Sequence, residues 1–406
     1  MRRNLQPLAL AILAAMTTHA VAAGNSVSVD QYGAHLQATA NQSGGAAKDI
    51  RQNQSGIMND AQATQIGGSA NSILQNQLNT ANLADSRQTD GSDSLIMQHQ
   101  DLGSGNEAGA YQEGAISTEN LISQGQHGDN NYAYANQSDT SDSAIYQLQI
   151  GTGHIAQSVQ NNSADAVSSS TQYGSSNQTS ANQINSSRVE AYTWQDGDAN
   201  ESAIFQDSAS MADATTLQFG TGNNASIYQR GEGLTAWLES TGDNNELIVT
   251  QRGTGLDARG EQVGNGNSVL GIQEGAGLEI ATNQTGDNNR VYSNQSGMDS
   301  SVSVEQDGIR NMVGIEQHGS GHSLTVSSVG GENRVNTDQD GSSNSMDLSQ
   351  DGWDNRITAN QYGSASVSTI SQVGEVNTVG LSQFGVGDAS SIMQNGIGNL
   401  AWINQR

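Results

Sequence analysis

A chain of 406 residues with 33% hydrophobic and 4% aromatic residues, and with 48 glycines, lacks the apolar half from which a conventional domain of this length builds its core. A formal net charge of −27 argues against nucleic acid, whose phosphates need Lys/Arg clusters, and the absence of cysteine removes disulfides and thiolate chemistry. Two states fit such a composition. One is disorder, for want of apolar surface to offset chain entropy; the other is a repetitive fold whose units borrow their core from neighbours.

The first predicted element, residues 1–23, reads as a secretory signal. Arg2 and Arg3 give a positive start, Leu8 to Met16 an apolar stretch too short to span a bilayer, and Val21-Ala22-Ala23 a small-residue cleavage site. Removing it takes two of the 14 basic residues and the one proline, Pro7, leaving Lys48 as the single lysine. No later stretch is apolar enough to predict a membrane span.

Residues 24–406 read as one repeat domain in two parts. From 24 to 228 the spacing is loose: Gln31, Gln54, Gln77 and Gln100 are 23 apart, as are Gln149, Gln172, Gln195 and Gln218, with the extra residue placed between a glycine and the next strand. The phase slips near 112–126, where a distorted turn or bulge is expected.

From 229 to 406 the spacing is regular. Starting at Gln229 and Ser240, one position recurs every eleven residues: Gln251, Gln262, Gln273, Gln284, Gln295, Gln306, Gln317, Ser328, Gln339, Gln350, Gln361, Gln372, Gln383, Gln394 and Gln405. Two residues on stand Gly253, Gly264, Gly275, Gly286, Gly297, Gly308, Gly319, Gly330, Gly341, Gly352, Gly363, Gly374, Gly385 and Gly396, taken as the turn positions. Five residues after alternate members stand Asn245, Asn267, Asn289, Asn311, Asn333, Asn355, Asn377 and Asn399, which doubles the period to 22.

An eleven-residue period also suits a right-handed helical coil. Composition rejects it, because a glycine in each eleven costs about 1 kcal/mol against alanine every time. In "NMVGIEQ" Asn311, Val313, Ile315 and Gln317 alternate with Met312, Gly314 and Glu316, which is the period of a strand buried on one side. The predicted fold is all-β: a cross-β solenoid of strand–turn–strand coils, 22 to 23 residues each and roughly 17 in number, stacked at about 4.8 Å. Gln295 then lies over Gln317 and Asn311 over Asn333, so that side-chain amides donate to one another along the axis. The repeat starts at "NSVSVDQYG" and reaches "NLAWINQR", so both ends of the stack are expected to be open edges that recruit further copies head to tail.

At these residues the chain resembles the curlin family. Gln, Gly two on, Asn five on, a small apolar residue seven on and Gln eleven on is the curlin repeat, and "QDGIRNMVGIEQ", "QVGEVNTVGLSQ" and "QTGDNNRVYSNQ" are similar to it. The resemblance implies a structural subunit of an extracellular curli-like amyloid fibre (a pilus-like structure on a Gram-negative surface) serving biofilm matrix, adhesion and attachment. It implies as partners other copies of the chain, other curlin subunits, a surface nucleator and an outer-membrane export pore. A nucleator role, or a monomeric β-solenoid adhesin, stands as the alternative.

No enzyme is expected. Asp-rich turns such as Asp338 to Gly341 match neither the helix–loop–helix nor the nonapeptide calcium pattern, the histidines are scattered, and no Gly-x-Ser-x-Gly elbow stands beside an acid and a histidine. No catalytic, metal or cofactor-binding residue is predicted.

Overall fold

The computed structural model describes residues 24–114 and 117–406. The predicted signal segment lies outside the described residues. Within them the chain forms strands and turns only, from Ser26–Ala34 to Leu400–Gln405.

Each strand pairs in parallel not with its neighbour in sequence but with the strand after next. Ser26–Ala34 pairs with Asp49–Ile57, and Gln37–Ser43 pairs with Asp60–Ile66. The outcome is a β-solenoid of about 17 coils with two parallel sheets. The first sheet begins at Ser26–Ala34 and the second at Gln37–Ser43. Turn length sets this arrangement: the two residues at most turns, and the four to seven at the others, carry the chain across to the opposite sheet.

Register follows the pattern of side chains. In Met312–Ser320, Val313, Ile315 and Gln317 are buried while Met312 and Glu316 are exposed, and Val313 pairs with Val335 in the next coil. A slip of one residue would turn every apolar side chain to water, so the alternation fixes the pairing. The two inner faces close on a narrow core that runs the length of the stack, from Ile50 and Ile73 near one end to Leu381 and Ile392 near the other.

Apart from Gly264 and Gly385, which lie in turns, the glycines do not make the reversal where the sequence placed it. Gly253 is inside its strand, Glu246–Thr254, and the left-handed residue that turns the chain comes two positions later, as at Gly255, Asn288 or Arg310. Gly253 has φ +144°, and a Cβ there would run into the carbonyl oxygen of Gly275 in the next coil. Glycine is needed because two backbones approach closely. The column ends at Gly385, which lacks this positive φ, and at Gly396, which has no glycine stacked on it.

The phase slip leaves the ladder intact. Gln100 pairs with Gln126 across a 26-residue coil, and the added length lies in the turns on either side of Glu107–Glu113.

Candidate functional site: amide ladders and terminal coils

The recurring glutamines form two columns, one per sheet. In the second sheet the run from Gln42 to Gln405 is unbroken: each Nε2 donates to the Oε1 of the glutamine in the next coil, through sixteen successive bonds of 2.7 to 3.2 Å. The second amide hydrogen crosses to the opposite sheet. Gln251, for example, donates to Gln273 Oε1 at 3.0 Å and to the Thr235 carbonyl at 2.8 Å. Such an amide is satisfied on both sides while tying the two sheets together.

The first sheet carries the same column from Gln31 to Gln218, and again through Gln262, Gln284 and Gln306 and through Gln350, Gln372 and Gln394. Two serines interrupt it. At Ser240 the break is mild, because Gln218 still donates to the Glu201 carbonyl. At Ser328 it is not: Gln306 Nε2, Ser328 Oγ and Gln350 Oε1, on three successive coils, are all buried without a partner.

The asparagines show the expected amide-to-amide stacking over part of their column, where Asn355, Asn377 and Asn399 each donate Nδ2 to the Oδ1 of the asparagine one coil before at 2.9 to 3.1 Å. They bond the turn backbone as well. The backbone N–H of Asn289 donates to Asn267 Oδ1 at 2.9 Å, and Asn289 Nδ2 donates to the Gly308 carbonyl at 2.9 Å. The same bonds recur at Asn245, Asn311, Asn333, Asn355 and Asn377. Asn399 only donates: its backbone N–H and its Nδ2 both go to Asn377 Oδ1, and Nδ2 also goes to the Asn395 carbonyl. A side chain one methylene shorter than glutamine reaches the turn backbone as well as the neighbouring amide, so this column seals turns. His154 takes an asparagine position in it, buried, with its Nδ1 accepting from the Asn177 N–H at 3.3 Å; burial lowers its pKa.

A third glutamine column was not foreseen. Gln52, Gln75, Gln98, Gln124 and Gln147 bond in series at 2.8 to 2.9 Å, two residues before the main column of the first sheet. The signal was present as Gln-x-Gln in five coils, "QNQ" twice and then "QHQ", "QGQ" and "QLQ". Lys48, also near this end, is buried with its Nζ donating to the carbonyls of Ser43, Gln65 and Gly67, and burial lowers its pKa.

The ladders point one way, which makes the two ends chemically different. Gln31 and Gln42 donate into the stack, turning their carbonyl oxygens toward the edge formed by the first described coil. Gln394 and Gln405 accept from the stack, turning their amide nitrogens toward the other edge. Apolar side chains are uncovered at both: Val27 and Val29 at one end, Leu400 and Trp402 at the other.

Folding also gathers residues that the sequence leaves apart. His99 and His127 both contact Asp101 on the outer face of the first sheet. Among the described residues no group of three His, Asp or Glu is arranged to hold a metal ion, and no helix is long and apolar enough to cross a membrane.

Fold and ladders together define a two-sheet parallel β-solenoid whose coils are stitched by directional amide columns. The family model described as the curlin associated repeat matches residues 242–275 and again 275–308, so this chain carries the repeat of the curlin family. Successive matches begin at Gly242 and Gly275, three half-coils of eleven apart, and the same coil geometry continues on both sides of them. No curated protein matches the chain.

Proposed function

We propose that the chain is a structural subunit of an extracellular curli-like amyloid fibre, adding copies head to tail, and that the fibre serves biofilm matrix, adhesion and surface attachment. The curlin repeats and the solenoid fit a structural subunit of this type. One observation carries the assembly mode: the unidirectional ladders present carbonyl acceptors at the Gln31/Gln42 end and amide donors at the Gln394/Gln405 end. Head-to-tail contact sets Gln394 against Gln31 and Gln405 against Gln42 and continues both main glutamine columns. Head-to-head contact opposes like groups and leaves them unpaired, at about 1–3 kcal/mol each. Other curlin subunits, a surface nucleator and an outer-membrane export pore are the partners this function calls for.

The purified chain without residues 1–23 is expected to form fibres with reflections near 4.7 and 10 Å. Ala401→Pro combined with Ile403→Pro removes backbone donors from the terminal strand and is expected to slow elongation while the other coils remain folded. A chain that stays monomeric at high concentration, with its sheet intact, would sink the fibre reading and favour an adhesin.

A further inference from the structure

The two outer faces of the solenoid differ in charge. In the regular coils the second sheet displays Arg290, Arg334 and Arg356 in a single column, all exposed. Arg334 and Arg356 occupy adjacent rungs, about 4.8 Å apart. None of the three makes an ion pair among the described residues, although acidic residues outnumber basic ones 41 to 14. The acids on the same strands, Glu316 and Asp338, stand four residues along, roughly 13 Å away. Nearer acids, Glu332 and Asp354 in the preceding turns and Glu246 two rungs below Arg290, form no ion pair with the column among the described residues, and Glu332 is taken by Arg310. Neighbouring, unpaired guanidinium groups repel, so this column calls for an anionic surface.

The first sheet of the same coils offers one. Glu239, Glu261 and Glu305 share a column there, with Glu239 directly below Glu261 and Glu305 two rungs above. Going up the stack, the arginines are separated by two coils and then one. Going down it, Glu305, Glu261 and Glu239 are separated by two coils and then one. Both columns use the same rung height, so in antiparallel orientation all three charges coincide. An anionic polymer with another repeat has no such match.

We propose that the arginine column of one stack docks on the glutamate column of a second copy lying antiparallel beside it, Arg290 against Glu305, Arg334 against Glu261 and Arg356 against Glu239. Glu261 already leans on Arg259 in its own chain, at 3.8 Å, and shares that partner with the incoming guanidinium. Burial and the Glu261 charge raise the pKa of Glu239, and an arriving arginine reverses that effect. The pairing is lateral and separate from head-to-tail growth, and it rests on the fibre reading above.

Charge reversal tests it. Wild-type fibres are expected to be at least two filaments wide in electron micrographs, with the paired fraction falling about tenfold between low salt and 0.5 M salt. Fibres of Arg290→Glu/Arg334→Glu/Arg356→Glu, and separately of Glu261→Arg/Glu305→Arg, should be single filaments. Mixing the two sets of preformed fibres should restore pairing. All of these side chains point outward, and cross-β reflections from each variant report that the stack is intact. Variants that pair like wild type, or mixed fibres that stay single, overturn the proposal and leave the fibre reading standing. Heparin that coats the wild type through the arginines without changing its width assigns the column to an acidic polymer and overturns it as well. A soluble monomer sinks both.

Discussion

The coils before and after residue 229 share one backbone and hold it together by different means. In the column two residues before the main ladder of the first sheet, the N-terminal coils carry Gln52, Gln75, Gln98, Gln124 and Gln147, then Ser170, Thr193 and Thr216. The C-terminal coils place Leu238, Gly260 and Thr282 and then Val304, Val326, Leu348, Ile370 and Ile392 at that position. Facing it, the second sheet offers Ala61, Ala84, Ala108 and Ala133 in the first half, and Leu247, Val269, Val291, Val313 and Val335 in the second. Small alanines leave room for amides to cross; larger aliphatics fill the same width themselves. Between the two regimes Ser158, Ser168, Ser170, Thr179, Thr193, Ser202 and Thr216 join hydroxyls across the core. A stack of constant dimensions therefore tolerates a core that is hydrogen-bonded at one end and apolar at the other, provided each column is consistent with its neighbours along the axis. Chemistry changes by column, not by coil.

The sharpest way to break the contrast is to exchange its parts. Gln98→Leu strips Gln124 Oε1 of its donor and removes the acceptor used by Gln75 and Ser86, at 2.9 and 2.6 Å. Val326→Gln puts an amide between Val304 and Leu348 with nothing to bond. Two orphaned groups cost about 2–6 kcal/mol in either case. Hydrogen exchange should show that loss confined to the mutated coil and its neighbours; equal loss along the whole stack would mean that the two regions are not separate in stability.

Healing a ladder is expected to have a smaller effect. Ser328→Gln joins Gln306 to Gln350 and supplies partners for buried atoms that now lack them. The gain should be about 1–3 kcal/mol, read as slower exchange at coils containing Gln306 and Gln350. Ser240→Gln should gain less, because Gln218 is already bonded. If the serine positions respond alike, the reading of the Ser328 break is wrong.

The smallest expected effect depends on pH. His154 is buried, accepts the Asn177 N–H at Nδ1 and has its pKa lowered by burial. Its folded pKa lies below the unfolded value of about 6.5. Its contribution is therefore present above pH 6.5 and is lost as pH falls below it, because the unfolded chain then binds the proton more readily. Exchange at the coils around His154 should quicken on acidification to pH 5, and His154→Asn, which restores the ladder residue, should remove that dependence. An unchanged response in the variant would place the acid sensitivity elsewhere.

The sequence by itself determined the coil. Alternation of period two sets which side chains enter the core, and an eleven-residue spacing of glutamines puts them in columns, so parallel stacking of two sheets follows without further information. Other features were written less plainly. The third ladder stood in view as Gln-x-Gln, hidden because its spacing runs through the phase slip. The glycines were legible as a column but not as strand residues, because the clash that demands glycine comes from the coil above. Asparagine and glutamine look interchangeable in a linear string; the reach of one methylene lets asparagine bond the turn backbone in addition to its stacked neighbours, while glutamine runs amide to amide. Only the tertiary structure set the contacts that depend on counting coils across turns of unequal length. These are the meeting of His99 and His127 at Asp101, the direction in which every amide donates, and the arginines and glutamates that stand at matching intervals on opposite faces. Local pattern fixes a strand and its inward side, but which strand lies above it depends on how much chain each turn absorbs.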